Sequence, residues 1–149
     1  MLADVDAQDR SVARDQIRDL VARYNANGDA GRFDDVLALF VDDAVMEIVG
    51  RPVHIGRAAI ETVFTRAQEQ LRGAATAGYV RHFTATHQID LLDEAHARGR
   101  CYFAVLTPIG LDHWGRYIDE YVRREGRWLF ARRTVAVDDH APGSRYAAD

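Results

Sequence analysis

The sequence predicts an α+β domain, with helices gathered in the first half and a meander of long antiparallel strands in the second. Three observations carry this. Apolar residues recur at three- and four-residue spacing in three stretches before residue 72. From about residue 79 onward the runs become strand-like instead. Short turn signals, Asp93-Glu94 and Glu125-Gly126, divide those runs.

Taken in order, residues 9–27 read as a helix whose stripe is Ala13, Ile17, Leu20, Val21 and Tyr24. Asp9 or Ser11 suits its start and Asn27-Gly28 its end. A second helix over about 31–40 places Phe33, Val36, Leu37 and Phe40 on one side. Asp29 then falls in the loop between the two helices. A strand is expected at 43–49, a turn at Gly50-Arg51-Pro52, and a third helix at 57–71 carrying Ile60, Val63, Phe64, Ala67 and Leu71. Strands follow at about 79–91, 96–107, 113–124 and 127–138. The polar tail from Asp139 to Asp149 contains Pro142-Gly143 and is expected to be mobile or draped over a partner. With no internal repeat or linker, the 149 residues fit one domain, its core spanning about 9–138.

Composition excludes several function classes. A formal net charge of −4 disfavours nucleic acid and anionic membranes as partners. The longest apolar run, Val36 to Val41, is too short to span a bilayer, and the acidic N-terminus lacks a signal-peptide layout. One cysteine, Cys101, rules out an internal disulfide framework; a cytoplasmic location is the plain expectation. All nineteen basic residues are arginine, so lysine Schiff-base chemistry is closed to this chain. The only serines, Ser11 and Ser144, lie near the termini, outside any nucleophile elbow. The six histidines form no metal-binding spacing, and the scattered glycines form no phosphate-cradling loop. No metal and no cofactor are expected, and Cys101 reads as a buried, unreactive thiol.

What remains is Asp29 and His82. An Asp–His pair in a cavity is a ready proton-transfer device, since the carboxylate orients the imidazole and stabilises its charged form.

The elements Tyr24-x4-Asp29, Phe33-Asp34, Phe40-x-x-Asp43-Ala44, Gly56-x3-Ile60, Arg81-His82-Phe83, Gly115-Arg116-Tyr117-x-Asp119 and Glu125-Gly126-Arg127-Trp128 resemble the SnoaL-like group of the nuclear transport factor 2-like superfamily. The resemblance runs from about residue 10 to 138. It implies a cystatin-like roll: a cone-shaped curved antiparallel sheet on three N-terminal helices, enclosing a deep pocket. It also implies a homodimer paired through the open sheet face. Members include dehydratases, isomerases, a dehydrochlorinase and polyketide cyclases. In the dehydratase-like members, the catalytic Asp and His correspond to Asp29 and His82. A participating tyrosine of one dehydratase corresponds to Tyr24, and a pocket arginine of the dehydrochlorinase to Arg133. Many relatives carry Asn four residues after the His; this chain has Thr86, which becomes a candidate substrate contact.

Each candidate has a plainer reading beside it. Asp29 also suits a helix N-cap. Strict alternation groups His82 with Thr84, Thr86, Gln88 and Asp90, which turns it to solvent; a β-bulge would return it to the pocket. His87 falls with the apolar set and reads as a core or interface histidine. Arg133 sits among Leu129, Ala131, Val135 and Val137, so it needs a buried partner, and Asp119 on the adjacent strand is available. Tyr117 and His113 share a face with Asp119 and Tyr121 and are either pocket wall or core, and Tyr24 continues the helix stripe.

The expected function is a cofactor-independent lyase or isomerase acting on a hydrophobic cyclic or polyketide-like small molecule. His82 would remove a proton, Asp29 would orient it, and Tyr24 would donate a hydrogen bond to the developing oxyanion. Arg133, Tyr117, Thr86 and His113 would contact substrate. The alternatives are an aldol-type cyclase and a non-catalytic ligand-binding or partner-subunit domain of the same fold.

Overall fold

The computed structural model describes residues 7–73, 78–144 and 146. Residues 1–6, 74–77, 145 and 147–149 lie outside the described residues, as does the side chain of Leu71. Helix α1 spans Ala7–Asp29, α2 Phe33–Leu37 and α3 Arg57–Gly73. The strands are β1 Phe40–Ile48, β2 His54–Ile55, β3 Arg81–Leu91, β4 His96–Thr107, β5 Gly110–Arg124 and β6 Arg127–His140. They form one six-stranded sheet in the order β2-β1-β6-β5-β4-β3. β1 and β6 run parallel, so the expected antiparallel sheet is a mixed one. No described helix is long and apolar enough to cross a membrane.

Helix α1 outlasts its expected end. Asn27 and Gly28 stay helical, and termination waits for Gly31, whose φ of +73° only glycine adopts without penalty. Gly31 N–H bonds to Gly28 O (3.1 Å) and Arg32 N–H to Asn27 O (2.9 Å), the paired contacts of a glycine-terminated C-cap. Asp29 is therefore the last residue of α1, not a loop residue. It does not cap α2, where Arg32 occupies the N-cap without a side-chain bond. α2 shrinks to five residues because Phe40 already begins β1.

α1 buries Ile17, Leu20, Val21 and Tyr24 against the sheet, and α3 adds Ile60 and Phe64. From the sheet side, β4 buries every second residue from Ala97 to Thr107. Its neighbours break that rule with bulges. In β3 the pairing with β4 slips between Ala85 and Gln88, where Thr86 adopts φ +55°. Before the slip His82 and Thr84 share the helix-facing side with their partners Val105 and Phe103; after it, Ile89 and Leu91 do so opposite Gly99 and Ala97. β6 slips opposite Glu120 and Tyr121, so Trp128 and Phe130 are buried before the slip and Arg133 after it.

The described part of the tail is pinned to its own chain. Ser144 donates its hydroxyl to buried Asp112, which also accepts from Thr107 Oγ1 (3.0 Å) and contacts His113 Nδ1 (2.8 Å).

The most heavily buried charge is Arg133. It is in register with Asp119 and donates two hydrogen bonds to it, Nε to Oδ1 at 2.9 Å and Nη2 to Oδ2 at 2.8 Å. Three rings enclose the guanidinium, with Tyr117, Tyr24 and Phe130 centroids 3.9, 4.2 and 4.3 Å from its carbon. Burial opposes the charge, but the pull and hydrogen bonds of Asp119 outweigh it and hold the guanidinium above its ordinary pKa. Tyr121 adds a third contact by donating to Asp119 Oδ2 (2.8 Å).

Two stability predictions follow from this packing. Asp119→Leu alone leaves an unpaired buried cation and should cost about 3–5 kcal/mol, whereas Asp119→Leu with Arg133→Met should recover most of that loss in urea melts. At Gly115 an added Cβ would overlap the Ala136 carbonyl oxygen and lie 2.8 Å from Val137 Cα. Gly115→Ala should therefore lower unfolding free energy by about 1–3 kcal/mol or more, again read from denaturant midpoints.

Candidate active site

The last residue of α1 meets the start of β3. Asp29 Oδ1 lies 2.5 Å from His82 Nδ1, and Asp29 Oδ2 accepts the His82 backbone N–H at 2.9 Å. β3 is the outer strand of the sheet, so no neighbouring strand competes for that N–H. One carboxylate thus fixes both the backbone and the ring of a single histidine. With Nδ1 bound to a carboxylate, the Nδ1–H tautomer follows, and Nε2 is the ring nitrogen left for a ligand. The Asp29 and His82 side chains are 11% and 27% exposed, sheltered but reachable.

The pair lines a cleft of about 640 Å³, within the usual range for small-molecule sites. The cleft lies between α1 and the β3 edge and is open to solvent; it is not the enclosed hollow that the resemblance implies. From α1 come Ala22, Asn25, Ala26, Asp29 and Ala30. Their spacing of three, four, seven and eight residues marks one helix face, next to the face that buries Ile17, Leu20, Val21 and Tyr24. From β3 come Arg81, His82, Phe83 and Thr84. The alanines are what make room, since larger side chains on that face would fill the space above His82.

The other residues singled out from sequence lie elsewhere. Tyr24, Tyr117 and Arg133 form the buried cluster described above, and none of them lines the cleft. Burial raises the Tyr24 phenol's pKa against the opposing pull of Arg133, and it holds Tyr117 well above the ordinary value, so both stay protonated. Thr86 is an exposed residue of the β3 bulge. His113 stacks on Tyr146, 5.3 Å between centroids, with its pKa lowered by burial against the pull of Asp112. His87 Nε2 lies 3.1 Å from Tyr121 Oη, so it joins the Asp119 network and not the cleft. Burial pushes the Cys101 thiol up to about 11, as an unreactive thiol requires.

Asn25, Arg81 and Thr84 were not singled out from sequence, yet they supply the remaining polar groups of the cleft. Asn25 is 7% exposed and its Oδ1 accepts a long contact from Tyr117 Oη, 3.4 Å, which leaves its amide hydrogens for another acceptor. The signal was present: Asn25 stands four residues before Asp29 and so shares its helix face.

A family model for the SnoaL-like domain matches residues 9–134. No curated protein matches the chain. Among solved structures, a Catenulispora acidiphila protein in complex with S-DNPA is 27% identical, with a TM-score of 0.73 over 93% of this chain and 99% of that one. A nuclear transport factor 2-like protein with a cystatin-like fold, from Novosphingobium aromaticivorans, is 23% identical, with a TM-score of 0.76 over 96% and 94%. A candidate scytalone dehydratase from the same organism is 20% identical, with a TM-score of 0.77 over 92% and 94%. A helix ending in the dyad carboxylate, a bulged strand that turns the histidine toward the helices, and a family match over most of the sequence agree: the chain belongs to the SnoaL-like domain family, on the cystatin-like, nuclear transport factor 2-like fold.

Proposed function

We propose that this protein is a cofactor-independent lyase or isomerase in which His82 moves a proton on a hydrophobic cyclic or polyketide-like small molecule. The observation that carries this reading is the 2.5 Å contact between Asp29 and His82 in the lining of a ligand-sized cleft. His82 Nε2 takes a proton from carbon next to a carbonyl or leaving group. Asp29, bound at Nδ1, balances the imidazolium as it forms. The Asn25 amide, which lines the cleft where the Tyr24 phenol does not, would donate a hydrogen bond to the oxygen where negative charge develops. Proton transfer by such a positioned group contributes on the order of 10²–10⁴-fold.

The test is proton exchange. Cyclic ketones and aromatic polyketides incubated with the protein in D2O should gain deuterium at the carbon next to the carbonyl, seen by mass spectrometry. His82→Gln and Asp29→Asn, folded by circular dichroism, should slow the exchange by about 10²-fold or more. Undiminished exchange in both variants would remove the dyad from the mechanism. Binding of the same compounds without exchange would leave a ligand-binding domain.

We also propose that two copies pair through the outer sheet face, where Tyr102 and Ile118 are 57% and 45% exposed. Arg116 and Asp138, on the same sheet, can exchange their 3.1 Å ion pair for contacts across a twofold axis. Light scattering should give a dimer for the natural chain and a monomer for Tyr102→Glu with Ile118→Glu. A monomer for the natural chain would count against the pairing.

A further inference from the structure

Resting on that reading of the site, we infer that the substrate is a planar ring system bearing a carboxylate, and that Arg81 is the residue that selects it. The ionisable side chains lining the cleft are Asp29, His82 and Arg81. Asp29 has both oxygens engaged by His82, so it offers little to a cationic ligand. Arg81 is in the opposite condition. Its Nη1 donates to the Val80 carbonyl at 2.8 Å and its guanidinium lies 5.8 Å from the Tyr79 ring centroid. Among the described residues no carboxylate pairs with it. Most of its five donors remain for a planar, two-oxygen acceptor, the shape a guanidinium fork matches best.

Among the described residues no other arginine lines the cleft. Arg133 is wholly buried and committed to Asp119, Arg23 pairs with Asp19, and Arg32 binds Asn27. The remainder of the cleft selects shape. Ala22, Ala26 and Ala30 succeed one another every fourth residue and make a flat wall of methyl groups on α1. Phe83, 57% exposed, shares the Arg81 side of β3 and adds apolar surface beside the guanidinium. A flat apolar body lies against that wall with little conformational entropy to lose.

Register also fixes the spacing of the two ends. Arg81 and His82 are adjacent, with Cα atoms about 3.8 Å apart, and lean to opposite sides of β3. A ligand straddling that strand would present its acid to Arg81 and its reacting carbon to His82. Arg81 is thus a specificity residue, and its loss should raise KM for an acidic substrate while kcat stays near its natural value.

The experiment compares two probes of one shape, 2-naphthoate and 2-naphthamide, by calorimetric titration at low salt. The natural chain should prefer the acid by roughly tenfold, as expected for a charge-assisted contact at a partly exposed site. Arg81→Gln should erase the preference and leave naphthamide binding unchanged, while Arg81→Lys should keep part of it. Equal affinity for the two probes, absence of binding by both, or a preference that survives Arg81→Gln would overturn the inference. Because the readout is affinity, a preference abolished by Arg81→Gln supports it even where no deuterium exchange is found, and only the proton-transfer reading then falls.

Discussion

A strand shows a given face only at every second residue, and this constraint governs the candidate site. β3 has to turn His82 toward the helices at one end and bury Ile89 at the other, yet seven positions separate them. Unbroken alternation cannot satisfy both. The bulge between Ala85 and Gln88 removes the conflict by inserting a residue into the register, and Thr86 takes the unusual positive φ that the insertion demands. Without it, either the dyad faces solvent or the lower sheet loses its apolar contacts.

A second constraint lies in the core. The interior of the curved sheet is filled by a charge in an aromatic setting: Arg133 between Tyr24, Tyr117 and Phe130, held by Asp119. Such a pair contributes little net stability relative to a well-packed apolar replacement. Its geometric demands are strict, however, and it ties the relative positions of α1, β5 and β6. Tyr121 needs its ring over Gly99, where a Cβ would lie 2.8 Å from Tyr121 Cε2. The consequence is displacement: with the centre occupied, the cleft lies at the flank, between α1 and β3.

The legible parts of the sequence were those written in periodicity. The α1 stripe, β4 and the Glu125-Gly126 hairpin stand where the pattern places them, the last with both residues at positive φ. The mixed character of the sheet was not legible, because parallel pairing of β1 with β6 is a long-range contact that neither strand's residues specify. Gly28 looked like a terminator, but Gly31 fulfils that role, and the sequence offers both with equal plausibility. The bulge was foreseeable only as a contradiction between the Asp29–His82 pairing and the alternation of β3. Arg133 stood in the sequence as either a ligand contact or the partner of Asp119, and the two hydrogen bonds from its guanidinium decide for Asp119. The cleft face of α1 was readable in principle, but alanine at helical spacing carries no signal without knowing what lies opposite.

The grip of Asp29 on the His82 amide has a consequence unrelated to chemistry. β3 ends the sheet, and a bare terminal strand invites another chain to add itself by main-chain pairing. Asp29 occupies the donor at one end of that rim, and Arg14 Nε reaches the Ile89 carbonyl at the other, 3.4 Å away. The kinked backbone between them is a poor template. The residue proposed to ready the imidazole therefore also occupies part of the edge through which another chain could pair.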